Sequence, residues 1–340
     1  MSAPRNVGTR IISLDMGQRR DPGRNHDTFL AGTDPFLSRA QLPFEALFLQ
    51  HYDAIREMAR LGTLGAGVVA VHAPTGALAG RVWVARRPDR PNAAIVGRHS
   101  RCDLVLPHGG LSLRHLALVV PKGPDGPPRF WLRELRTRGG LDSRLGQPIG
   151  GAFVEIAGLF RVGGYALFTF ATGAPEHWPE SATEAWAKLE GRNTPLRVVR
   201  IEDRARPQPR RERAASVSVI RGPIETSEAM LEPGATRACT LRIEAGARRL
   251  RLALDEAALG RGVLLGRYSR CDSAHVFADD DISRVHVLVV RVEDDIVAID
   301  TASTNGVYTS PSDDDPTRVV RLSSGEVAHL GDGLGVVRLG

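Results

Sequence analysis

Apolar and polar residues alternate along this chain with two different periods. Phe44, Leu47, Phe48, His51, Ile55 and Met58 recur at helical spacing, which predicts an amphipathic helix packed on its own domain. Beyond it the pattern shortens. Gly67–Val71 and Arg81–Ala85 read as strands joined by the turn Pro74-Thr75-Gly76, and Thr240–Glu244 and Leu250–Leu254 form a second such pair joined through Ala245-Gly246. Further short apolar runs follow each pair, with Gly, Pro and Asp between them. Two stretches of about 100 residues thus carry many short strands at regular spacing, as an antiparallel sandwich does. Between them, Ser181–Leu189 predicts one short helix, with Ser181 as N-cap and Glu184 three residues on. Arg204–Arg213, with Pro207 and Pro209, reads as an extended tether.

Comparing the chain with itself reveals a repeat. Residues 97–103 read GRHSRCD and residues 266–272 read GRYSRCD, six identities in seven at an offset of 169. After each copy comes a strand with Ser and His three apart, Ser112 and His115 in the first and Ser283 and His286 in the second. Two related units are therefore expected, with the boundaries 1–62 for an N-terminal extension with a helix, 63–173 for the first sandwich, 174–235 for the linker and 236–340 for the second sandwich.

Composition narrows the function. The 340 residues are 42% hydrophobic and 25% charged, an ordinary globular balance. No apolar run reaches membrane-spanning length, and MSAPRNVGTR is no secretory leader, so a cytoplasmic location without membrane partners is expected. The net charge of +6 is not spread evenly: residues 191–216 hold eight Arg against three acids. That excess reads as a solvated connector rather than a nucleic-acid surface. Three cysteines at wide spacing, Cys102, Cys239 and Cys271, suit buried thiols better than disulfides or zinc. The sequence has no nucleophile motif, Walker loop or zinc motif, so neither an enzyme nor a cofactor or metal is expected. Asp279–Asp281 and Asp313–Asp315 lack the spacing of a calcium loop and read as solvated; the first run would also repel acidic peptide flanks.

In the second unit, Gly266-Arg267, Ser283-x-x-His286 and Asn305-Gly306 within DTASTNG resemble, in order and spacing, the three signature elements of the forkhead-associated (FHA) domain. The resemblance covers roughly residues 236–340 and implies a sandwich whose apical loops bind a phosphothreonine in an extended peptide. Residue chemistry supports it. Arg267 offers a planar fork matching phosphate oxygens, and Ser283 and Thr304 can donate hydroxyl hydrogen bonds. Arg284 adds positive charge at the rim, and Asn305 suits the peptide backbone. By resemblance Gly266, His286 and Gly306 support the site without touching ligand.

The first unit keeps Gly97-Arg98 and Ser112-Leu113-Arg114-His115, but Gly139 stands where Asn305 stands and Arg138 where Thr304 stands. Arg98, Ser112, Arg114 and Arg138 form a possible second anion site. The expected function is a phosphothreonine-peptide-binding adaptor in Ser/Thr kinase signalling, docking a kinase or its substrate through the second unit. The alternative is a scaffold that uses both sandwiches as docking surfaces without phosphate. Arg213-Ala214-Ala215-Ser216 resembles a basophilic kinase site, and Thr194 and Thr226 are the candidates for a phosphorylated linker bound in cis.

Overall fold

The computed structural model describes residues 41–123, 129–191, 197–199, 224–245, 248–272, 282–331 and 334–339. The chain forms two compact units that divide near Val198. Each is a pair of β-sheets, so the expected all-β architecture of two sandwiches with helical additions is the observed one.

In the first unit one sheet runs in the order Ala77–Ala85, Gly65–His72, Tyr165–Thr172, Ala157–Val162, Leu141–Ser143, Pro148–Ile149. The other runs Arg197–Val199, Gly151–Val154, Phe130–Glu134, Leu116–Val120, Asn92–Gly97, Leu104–Val105. Alternate residues of these strands, among them Val68, Val82, Val96, Leu118, Phe130, Leu132 and Phe160, meet in an apolar core between the sheets. The opposite face of the first sheet is also apolar, with Val69, Val71, Phe168 and Phe170, and helices cover it.

Those helices come from both ends of the unit. The stripe from Phe44 to Met58 forms two short helices, α1 (Phe44–Gln50) and α2 (Tyr52–Ala59), rather than the one the periodicity predicts. His51 leaves helical geometry at φ −113°, ψ 16°, and its ring Nε2 lies 2.6 Å from the Gly76 carbonyl in the first strand turn. On both sides of the break the apolar stripe stays buried against the sheet. The predicted linker helix is α3 (Ala182–Gly191), where the Ser181 hydroxyl accepts the Glu184 N–H at 3.3 Å. Its Trp186 packs 5.3 Å from Phe48, and the Tyr52 hydroxyl donates to Pro179 O at 2.6 Å.

The second unit has one sheet in the order Ile224–Met230, Arg248–Leu254, Cys239–Ala245, Leu334–Leu339, Val327–Leu330, Val307–Tyr308, and another of Val263–Leu265, Val287–Val292, Asp295–Asp300, Val319–Arg321. Leu241, Ile243, Leu250, Leu252, Val287, Val289, Val307 and Val336 fill the core between them. A short helix α4 (Glu256–Arg261) closes one end. Its N-cap Asp255 accepts the Ala258 N–H at 2.7 Å and the Glu232 N–H at 2.5 Å. These bonds hold its carboxyl below the usual range, the Ala258 bond first and the Glu232 bond next. All three cysteines are buried and free. No helix among the described residues is long and apolar enough to cross a membrane.

Phe48→Ala removes a fully buried ring that touches Tyr52, Phe168 and Trp186, and is expected to destabilise the first unit by about 3–5 kcal/mol, read as a lower denaturation midpoint. Asp255→Ala should lower the denaturation midpoint of the second unit at neutral pH. Because the folded carboxyl titrates below its unfolded value, the wild-type advantage is full above pH ~4 and fades as pH falls below it; denaturation of both proteins across pH 2–7 checks this.

Candidate functional site

The repeated heptapeptide makes the same set of clamping bonds in both units. In the second, Asp272 clamps the strand Val263–Leu265: its carboxylate accepts the Leu264 N–H at 2.9 Å while its own N–H donates to Leu264 O at 2.8 Å. The Cys271 N–H closes the turn on Tyr268 O at 2.8 Å, and the Tyr268 N–H (2.9 Å) and the Cys271 thiol (3.3 Å) both point at Arg284 O. In the first unit Asp103, Cys102 and His99 repeat these bonds toward Ile95 and Leu113 O, at 2.7–3.3 Å. Glycine is needed ahead of each turn, because a Cβ on Gly266 would sit 2.5 Å from Arg284 O and one on Gly97 2.4 Å from Leu113 O.

This turn is stitched to the Ser-x-x-His element. Arg267 N–H donates to Ser283 O at 3.4 Å, so the arginine starts beside the serine. His286 is fully buried, and its Nδ1 accepts the Ser283 N–H at 3.4 Å. The ring proton therefore lies on Nε2, which donates to Gly306 O at 2.9 Å. One neutral imidazole thus ties the loop that presents Ser283 to the loop that presents Thr304 and Asn305. His115 makes the same two bonds, to the Ser112 N–H at 3.1 Å and Gly140 O at 2.7 Å.

The third loop is shaped by its own polar groups. Asp300 accepts the Ser303 N–H at 2.9 Å and is held by Arg318 at 3.0 Å, and the Ser303 hydroxyl accepts the Gly306 N–H at 2.9 Å. Ala302 (φ 63°) and Gly306 (φ 78°) turn the chain left-handed. Thr304 and Asn305 are exposed at the tip. The Thr304 N–H donates to Ser283 Oγ at 2.8 Å, and the Ser283 hydroxyl donates to Thr304 Oγ1 at 3.3 Å. Arg267, bonded through its backbone to Ser283, and Arg284, next to Ser283 in the chain, are exposed, so the apex carries positive charge and hydroxyls together, as an anion site does. Among the residues proposed for the site, the fold brings Arg267, Ser283, Thr304 and Asn305 to one apex, with Gly266, His286 and Gly306 beneath it.

The first unit keeps the frame and changes the tip. Arg136 (φ 52°) and Gly140 (φ 64°) take the left-handed places of Ala302 and Gly306, and Glu134 accepts the Thr137 N–H as Asp300 does for Ser303. The alignment of Gly139 with Asn305 and Arg138 with Thr304 is thereby physical. Arg98 and Arg138 are exposed, Ser112 is half-buried and Arg114 is only 7% exposed. Since Leu113 O receives the bonds that Arg284 O receives, Leu113 is the counterpart of Arg284, and Arg114 matches Val285. Burial, then the charges of Arg114 and Arg101, depress the pKa of His99; this apex is densely basic.

Its asparagine position is closed. A Cβ on Gly139 would lie 2.5 Å from Gly110 O and 3.1 Å from the His115 ring. The neighbouring hairpin tells the same story: a Cβ on Gly331 would lie 2.8 Å from the Asn305 Cβ, whereas one on Gly164 would lie 2.8 Å from His108 Nε2. In the second unit that hairpin leaves room for Asn305, and in the first for His108, which also packs against Tyr165. Sequence reasoning missed this filling, and also the clamping roles of Asp103, Asp272, Asp300 and Arg318. The Cys-Asp pair within the repeat was the signal for two of them.

Among the described residues no group of His, Cys, Asp and Glu could hold a metal ion. Asp313–Asp315 are exposed, as a solvated loop is. Asp279–Asp281, Thr194, Ser216 and the Arg/Pro tether lie outside the described residues, and Thr226 falls in the strand Ile224–Met230.

The FHA domain family model matches residues 94–149 and 263–331. Solved structures similar to the chain include FHA-1 of Mycobacterium tuberculosis Rv1747 (28% identity, covering 30% of this chain and 98% of that one, TM-score 0.24). Others are the FHA domain of Chlamydia trachomatis CT664 (15%, 31% and 96%, TM-score 0.25) and Mycobacterium tuberculosis EmbR in complex with a low-affinity phosphopeptide (14%, 36% and 30%, TM-score 0.24). Comparison with curated proteins gives no match.

Gly139→Ala should lower the stability of the first unit by on the order of 1–3 kcal/mol, because the new methyl meets backbone; a denaturation curve reads the change.

Proposed function

We propose that this chain, which carries two tandem FHA domains, is an adaptor that binds phosphothreonine peptides through its second domain, as a binding module rather than an enzyme. The observation that carries the reading is the hydroxyl pair at the second apex. Ser283 Oγ is locked by the Thr304 N–H at 2.8 Å, directly beside the backbone from which exposed Arg267 departs. A phosphate seated there takes a charge-assisted fork from Arg267 and displaces the Ser283–Thr304 hydroxyl bond, so that both hydroxyls turn to it. Exposed Asn305 meets the peptide backbone and exposed Arg284 adds charge at the rim. A threonine rather than a serine phosphoester fits the family's preference, and the partner is then a phosphorylated Ser/Thr kinase or its substrate in the cytoplasm.

The first domain supports a different role in the same adaptor. Its frame is intact, but Gly110 O closes the position from which an amide would read a peptide. We assign it to docking or anchoring without peptide readout, the part of the scaffold alternative that a specific observation favours. The basic linker has no role in the reading.

Titration of the whole chain with phosphothreonine peptides tests the proposal. A charged hydrogen bond contributes about 1.5–3 kcal/mol, so Arg267→Ala should weaken binding by at least about ten- to a hundred-fold, while Arg138→Ala should leave it unchanged. Binding equal to wild type in Arg267→Ala overturns the assigned mechanism.

A further inference from the structure

Within the repeated heptapeptide one position differs, His99 in the first unit and Tyr268 in the second. Each donates its N–H to the residue that follows the serine of the Ser-x-x-His element. The His99 N–H meets Leu113 O at 3.0 Å, and the Tyr268 N–H meets Arg284 O at 2.9 Å. Two positions tied by one backbone bond have therefore changed together, from His with Leu to Tyr with Arg. The frame around them is the same, since Asp103 and Asp272 clamp both turns alike.

The two pairs offer different chemistry. In the first unit the His99 ring serves its own turn, where Nδ1 accepts the Arg101 N–H at 3.1 Å, and Leu113 has no polar group to present. Tyr268 has no ring nitrogen for that bond. Its ring lies instead under the Arg270 guanidinium, whose carbon is 5.7 Å from the ring centre, so a cation is held on the face of the phenol. Arg284 is exposed and Tyr268 half-buried, and among the described residues nothing bonds the Arg284 guanidinium or the Tyr268 hydroxyl. A guanidinium only donates and a phenol donates readily. Side by side they match a carboxylate, which only accepts.

We propose that Tyr268 and Arg284, with Arg270 stacked on the tyrosine, form a second reading point of the second apex, which takes an acidic side chain flanking the phosphothreonine. The inference rests on the reading of that apex as a phosphopeptide site and names the peptide class, a phosphothreonine with a Glu or Asp close by. Arg267, Ser283 and Thr304 serve the phosphate, so the carboxylate has its own donors. The first unit, with His99 and Leu113, lacks this point. Asp279–Asp281 in the sequence argue for the opposite preference, a flank that is not acidic, and one titration separates the two.

The full chain is titrated with one phosphothreonine peptide whose three residues on either side are Gln, each replaced by Glu in turn. Wild type should bind the Glu form about two- to five-fold more tightly at one position or at two neighbours, the gain expected of an exposed ion pair. Arg284→Leu and Tyr268→His install the residues that the first unit carries in the same turn. The Glu-to-Gln affinity ratio should fall to about one in Arg284→Leu and be reduced in Tyr268→His. Should Arg284→Leu fail to fold, Arg284→Gln, polar and uncharged, decides by the same ratio. A Glu peptide that binds no tighter at any position, or a preference that survives the loss of Arg284, overturns the inference. If Gln and Glu peptides bind alike and Arg267→Ala abolishes both, the phosphate reading stands and the acidic preference alone falls; if no phosphorylated peptide binds, both fall.

Discussion

Each apex of this molecule hangs on a buried imidazole of its own. An unprotonated Nδ1 facing a serine N–H and a protonated Nε2 facing a glycine carbonyl make His286 a bridge between two loops that no strand pairing connects at that point. The bridge works because the ring is out of water, where each hydrogen bond is strong and a missing partner is costly. It also requires a neutral ring, since a second ring proton would face the Ser283 N–H. The Ser283 hydroxyl, the Thr304 backbone and the exposed amide of Asn305 take their relative positions from this tie. His115 performs it again in the first unit, and so the two loop frames agree although their tips do not.

The tips show how a conserved frame can carry divergent ends within one chain. With Asn305 in place, the hairpin at Gly331 leaves room beside it; with Gly139 in place, Gly110 O and His108 move into that room. The loss of the amide is therefore built into the packing of the first unit. Returning an asparagine to position 139 would meet a backbone carbonyl before it met a ligand. The basic character of that apex, with Arg98, Arg101 and Arg138 exposed, survives as surface charge without the geometry that would give a peptide direction.

Much of this was legible in the sequence. The period-two runs marked strands because core and solvent alternate on them, and the repeated GR-x-SRCD element with Ser-x-x-His after it located both apices. Its Cys-Asp half was harder to interpret, because hydrogen bonds to Leu264 and Arg284 backbone are made across the fold and leave no periodic trace. The helical stripe of residues 44–58 gave its buried face correctly but not its break, which depends on the His51 ring finding Gly76 O. The closure of the first site depends on Gly110, some thirty residues from Gly139 in sequence. The strand Ile224–Met230 was invisible for a related reason: it is held by backbone pairing, and its sequence IETSEAM carries no apolar alternation.

If, as proposed, a phosphothreonine peptide is read at the second apex and by its loops alone, amide chemical-shift mapping of the whole chain, titrated with phosphorylated and unphosphorylated forms of one threonine peptide, will show it. Shifts are expected at Arg267, Ser283, Thr304 and Asn305 with the phosphorylated form only, and none at Ser112 or Gly139. Shifts centred on Arg98, Ser112 and Gly139, or equal shifts with both forms, would contradict it.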